Sequence, residues 1–213
     1  MARTCNINLQ GLNQLDACRN NLSGVRALWV AAQKDVETIN AVLAETVTDL
    51  AAMVTLDTSG LTDKHAIECK TGKGFVGIYC ADDMGELKYA TQGTITGCKS
   101  LKATLDIYHP GFKRVALGAL AYFNNQETVI VVKLNNGEIH LLGDQDRGAK
   151  LQDGMEGTSG KASEDDNGVN FIWEYNCPAP RIFDEDWDPK DTTTGLPILT
   201  AETVSEETVT EGD

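Results

Sequence analysis

The residues of this sequence best suited to hold a metal or attack a carbonyl are its six cysteines and three histidines. Cys5, Cys18, Cys69, Cys80, Cys98 and Cys177 include no CxxC pair, and His65, His109 and His140 do not cluster near them. Structural zinc sites draw their thiolates and imidazoles from closely spaced pairs, so this spacing predicts no such site. A nucleophilic serine or cysteine would need a histidine base and a recognisable elbow such as GxSxG, and neither His109 nor His140 is flanked by one. Aspartate and glutamate are abundant, which makes any particular carboxylate pair uninformative. No catalytic residue, metal or cofactor is expected.

Two glycine- and aspartate-rich stretches look superficially like ion loops. Gly143-Asp144-Gln145-Asp146-Arg147-Gly148 and Asp165-Asp166-Asn167-Gly168 carry carboxylates, but the second lacks the ordered acidic spacing and terminal glutamate of a twelve-residue calcium loop. Turn chemistry accounts for both. Gly72-Lys73-Gly74 and the run Gly157 to Lys161 resemble phosphate loops only faintly. GxxxxGK[ST] is absent, and no helical pattern follows to present its N-terminus to an anion.

The net charge is −14 over 213 residues, and it is unevenly spread. From Asp184 to Asp213 there are ten acidic residues against Lys190 alone, so −9 lies there and −5 in the first 183 residues. With no cationic surplus the chain is not expected to grip a phosphate backbone. At 41% hydrophobic it can bury a core. No apolar leader stands between Met1 and Gln10, and no apolar run is long enough to span a bilayer. These features predict a soluble, cytoplasmically made protein with reduced thiols.

The elements that would carry these residues read mainly as strands. Val25 to Ala32 is a compact apolar run. Val36 to Met53 fits both strand and helix periods, and its Thr and Val content decides for strands with a turn. Thr55 to Gly74 reads as a long polar loop or hairpin, and Phe75 to Cys80 and Glu86 to Thr96 as strands. Leu101 to Tyr108 alternates cleanly, as a half-buried strand does. Pro110 is read as opening a helix over about residues 110–124. Its apolar stripe, Phe112, Val115, Ala116, Ala119, Leu120 and Phe123, should pack on a sheet. Asn136-Gly137 between two apolar runs is a strong hairpin signal, joining Thr128 to Leu134 with Glu138 to Leu142. After a long Gly/Asp segment, Gly168 to Cys177 forms a closing strand, and Pro178 and Pro180 end it. Residues 1–182 are thus expected to form a single β domain with an N-terminal arm. Residues 183–213 are expected to form an acidic extension, either disordered or docked as an arm on a neighbour.

Several of these features together resemble a family. The run Asn135-Asn136-Gly137-Glu138-Ile139-His140-Leu141-Leu142-Gly143 is followed by Gly148 and Leu151, Thr158-Ser159-Gly160-Lys161-Ala162, Asp165 or Asp166, Asn167-Gly168-Val169 and a strand ending at Pro178-Ala179-Pro180. This order is similar to that of the major tail (tail tube) proteins of phages of Bacteroidetes-type bacteria. Cys18, the run Gly24 to Ala31 and the segment Leu101 to Tyr122 also fall where that family has its opening strand and its strand–helix unit.

The resemblance implies a tail-tube-like β-sandwich or barrel with one flanking helix. Subunits would close into rings of six, and rings would stack into a virion tube through which genomic DNA passes without specific binding. Its partners would be copies of itself and other tail or neck proteins, with no membrane involved. Gly143, Gly148, Gly160, Asp166 and Gly168 in the long loop, and Trp187 in the extension, are candidate subunit-interface residues, since long loops commonly serve binding. A neck, connector or tail-completion protein of similar fold would share these features. A glycan-binding β-sandwich is the alternative from another class.

Overall fold

The computed structural model describes residues 4–8, 22–43, 46–95, 99–153, 156–161 and 165–199. The polar stretch around Cys18, Cys98 and the tail beyond Leu199 lie outside them. The protein is mainly β, a sandwich with one flanking helix.

Chain order runs β1 (Thr4–Asn8), β2 (Val25–Ala32), β3 (Val36–Ile39), β4 (Val42–Leu43), β5 (Thr46–Asp49), β6 (Thr55–Asp57), β7 (Ile67–Cys69) and β8 (Val76–Ile78). It continues with β9 (Gly85–Gln92), β10 (Ser100–Pro110), α1 (Arg114–Phe123), β11 (Thr128–Leu134), β12 (Ile139–Leu142), β13 (Lys150–Leu151), β14 (Gly157–Thr158), β15 (Gly168–Cys177) and β16 (Ile182–Phe183). One sheet has seven strands in the order β4-β6-β16-β12-β11-β2-β8. The other has the path β13-β15-β10-β9, with β14 also paired to β15. Two small pairs, β1 with β5 and β3 with β7, complete the set.

The long antiparallel strands carry the alternation expected of them. On β10, Ala103, Leu105 and Ile107 point into the sandwich, and opposite them on β15 stand Tyr175, Trp173 and Phe171. Phe171 and Trp173 stack at 5.3 Å between ring centroids. Burying such side chains contributes about 1.5–3 kcal/mol each.

Strands β2, β11 and β12 break the alternation, because both of their faces are covered. Leu28, Val30, Ile130, Val132 and Leu142 face the second sheet. Trp29, Ala31, Val129, Val131 and Leu141 face a second core on the far side. That second core is closed by Val36, Ile67, Phe75, Phe183, Trp187 and Leu196. Continuous apolar runs such as TVIVV are what a strand buried on both faces requires.

The Asn-Gly hairpin forms in a particular way. Leu134 N–H donates to the Glu138 carbonyl at 2.9 Å, and Gly137 N–H to Leu134 at 3.1 Å. Gly137 has φ +99°, while Asn136 does not adopt a positive φ. This is a three-residue loop closed by a left-handed glycine.

Four expectations need correction. Pro110 does not open the helix; it ends β10, and Gly111 at φ +96° turns the chain. The helix begins at Arg114, and Phe112 lies before it, its amide held by the Asn167 side chain at 2.8 Å. Proline lacks the N–H a continuing ladder needs, so it suits the strand's last position. Val115 is not packed on the sheet but 84% exposed, because the helix turns Ala116 and Phe123 inward, with Ala119 and Leu120 half-buried beside them. The stretch from Thr55 to Gly74 is neither loop nor hairpin: it holds two short strands, β6 paired with β4 and β16, and β7 paired with β3. Finally, residues 183–199 pack on their own chain. Phe183 pairs with Leu56, and Trp187 stacks on Phe183 at 3.7 Å.

Candidate subunit interface

The six residues expected at a subunit interface fall into two groups. Gly143, Gly148 and Gly168 are buried within the chain, as is Trp187. A Cβ on Gly148 would lie 2.6 Å from the Glu127 Cβ and from the Thr128 nitrogen, and one on Gly168 would lie 2.5 Å from the His109 carbonyl oxygen. These glycines permit close approach of strands inside one subunit. Trp187 donates its indole N–H to the Thr194 carbonyl at 3.0 Å. Only Gly160 and Asp166 remain near the surface. The long loop is correspondingly less free than its length suggests. Its segments β13 and β14 lie along the outer edge of β15.

The aspartate loops are turns. The Asp144 carboxylate accepts the amides of Asp146 and Arg147 at 2.9 and 2.6 Å and the Tyr175 hydroxyl at 2.8 Å. Lys161 N–H is held by the Asp165 carboxylate at 2.7 Å. Among the described residues no group of three or more histidines, cysteines and acids is placed to hold a metal.

Surfaces able to join another molecule lie elsewhere. The seven-stranded sheet ends in two unlike edges, β4 at one flank and β8 at the other; the chain just before β8 is already met by the chain's own C-terminal segment, Phe75 forming a parallel bridge with Ile198. Each shows an apolar side chain to solvent, Val42 at 58% and Val76 at 48% exposure. Strand β9 is a third open edge, eight residues long, ending the second sheet where that sheet lies against β2. Tyr79 and Met84, in the connection from β8 to β9, are exposed beside these edges. An unpaired edge presents a row of backbone donors and acceptors to any strand that meets it.

Polar groups between the sheets tie the β9 flank together. Tyr89 on β9 and His140 on β12 are in hydrogen-bond contact at 3.1 Å. Burial pushes the Tyr89 phenol well above its ordinary pKa. Burial, followed by the hydrogen bond to Asp144, does the same to Tyr175. On the other face, a cleft of about 600 Å³ opens between the Asn136-Gly137 turn, Val54 and the segment Ile182 to Glu185.

Sequence reasoning did not single out Val42, Val76 or Tyr79. They sit in short runs interrupted by Asn40, Gly77 and Asp82, and only the strand order shows that those runs end a sheet. The Pro110-Gly111 pair, by contrast, was a readable turn signal.

No family model matches this chain, and no curated protein sequence matches it.

Proposed function

We propose that this chain is a structural subunit of a phage virion, a tail-tube-like protein that joins copies of itself into rings. The observation that carries this reading is the seven-stranded sheet with unlike edges at its two flanks, β4 and the part of β8 beyond the Phe75–Ile198 bridge. Pairing β8 of one copy with β4 of the next would be a head-to-tail contact, which closes into a ring when the rotation per subunit allows. It would pair the open backbone groups and cover Val42 and Val76. The family resemblance sets the expected number at six and the role as a conduit for DNA. The absence of a cationic surplus fits a passage without specific binding, since nothing in the composition favours tight contact with phosphates.

Electron microscopy of the purified protein tests this reading. Six-fold rings, or tubes of stacked rings, are expected at micromolar concentrations. A particle that stays monomeric at high concentration would overturn it. Replacing Val42 and Val76 together with lysine, which discourages edge pairing, should abolish the rings without unfolding the subunit.

A further inference from the structure

The outer face of α1 is unlike the rest of the surface. From Val115 to Phe123 the helix carries no charged residue. A surface helix ordinarily sets charged side chains opposite its buried stripe; here Val115, Leu117 and Tyr122 are exposed there instead. The patch has a cationic rim. Lys113 and Arg114 stand at its N-terminal end, and Lys34 lies over the Tyr122 ring, 5.8 Å from the centroid. No aspartate or glutamate occurs between Ile107 and Gln126. The next acid along the chain, Glu127, is engaged by Lys150 at 2.9 Å and the Gly148 amide at 2.7 Å, and Asp35 follows Lys34.

The chain itself contains a segment of complementary chemistry. Residues 200–213, outside the described part, read TAETVSEETVTEGD, with five acids, no base, and two valines at 204 and 209. The described chain also stops at the appropriate end of the molecule. Leu199 N–H donates to the Phe75 carbonyl at 2.9 Å, next to Val76, which pairs with Val30 near the end of β2. Lys34, just past that end, is the residue that reaches Tyr122. Fourteen residues extend up to about 50 Å, ample for the distance to a helix about 15 Å long.

We propose that the outer face of α1 is the docking site for residues 200–213 of the same chain. The valines cover the apolar surface, and the glutamates meet Lys34, Lys113 and Arg114. This contact uses neither β4 nor β8, so it stands or falls apart from ring formation.

The test uses the full chain with photoreactive benzoylphenylalanine in place of Val115, as an equal mixture of isotopically heavy and light copies. Illumination and peptide mass mapping should give crosslinks from position 115 to residues 200–213, in peptides that are wholly heavy or wholly light. The double substitution K113E/R114E should lower their yield by roughly fivefold, the combined effect of losing two exposed ion pairs. Replacing the five tail acids with their amides leaves the folded body untouched and should lower the yield similarly. Mixed heavy–light crosslinks would overturn the proposal in favour of a neighbour's tail. Crosslinks only to other segments, or none, would overturn it outright.

Discussion

The Tyr89 hydroxyl and the His140 ring meet at 3.1 Å, one from β9 in the second sheet and the other from β12 in the first. They form a polar joint between sheets that face each other largely through apolar side chains. The other ring nitrogen of His140, Nε2, lies 3.5 Å from a Glu138 carboxylate oxygen. Tyr89→Phe would leave the buried Nδ1 without its hydrogen-bond partner. A cost of about 1–2 kcal/mol is expected. It should appear as a lower midpoint in urea unfolding, with the slope unchanged.

The two raised phenols also set an alkaline limit. Tyr89 and Tyr175 keep their protons in the folded state at a pH where the unfolded chain, with phenols near about 10, gives them up. Folded protein then binds more protons than unfolded protein, so stability falls as pH rises above that value. Thermal melts from pH 8 to 11 should show the decline. The slope should be shallower in the Tyr89→Phe, Tyr175→Phe double variant.

Two glycines should respond to alanine in opposite directions. At Gly148 the new Cβ would strike the backbone nitrogen of Thr128 at 2.6 Å, and no side-chain adjustment relieves that. Overpacking of this kind costs about 1–3 kcal/mol. Gly118, in the helix interior, has nothing within 4 Å of the added carbon. There Gly118→Ala should stabilise the protein by about 0.5–1 kcal/mol through helix propensity. Chemical denaturation of both variants checks the sign of each change.

Trp187→Ala should destabilise the whole protein, by about 3–5 kcal/mol. The indole stacks on Phe183, donates to Thr194 and is buried. An arm serving only a neighbour would leave the melting temperature of the isolated subunit unchanged on this substitution. Differential scanning calorimetry at low concentration separates the two outcomes.

The thiols offer a simpler measurement. Burial, with a smaller push from Asp35, raises the Cys69 pKa to about 11. Burial also raises Cys80 and Cys177. Alkylation needs the thiolate, so in native protein at pH 8 these three should react far more slowly with iodoacetamide than in urea. Peptide mapping follows each thiol separately.

Much of this fold is legible in the sequence wherever local chemistry decides it. Val25–Ala32, Gly168–Cys177 and the Asn135-to-Gly137 hairpin stand where their residues place them, because alternation and a left-handed glycine are local properties. The extension after Ile182 was less legible. Its acidic, turn-rich sequence looks like a solvated tail, and its role is set by Phe183, Trp187 and Leu196 reaching a core supplied by distant strands. The helix was half legible. Its periodicity was visible, but the outward side of a helix that is apolar all round cannot be read from spacing. The candidate interface was least legible, because an open edge belongs to the order of strands in a sheet, and no single strand carries it.

The doubly covered middle strands have a consequence for how the molecule comes apart. Because β2 and β11 serve as a wall for both hydrophobic cores, neither core can be lost while the other stays closed. A lesion at Trp187 and one at Trp173, on opposite sides of that wall, should therefore melt the subunit in the same single, cooperative transition.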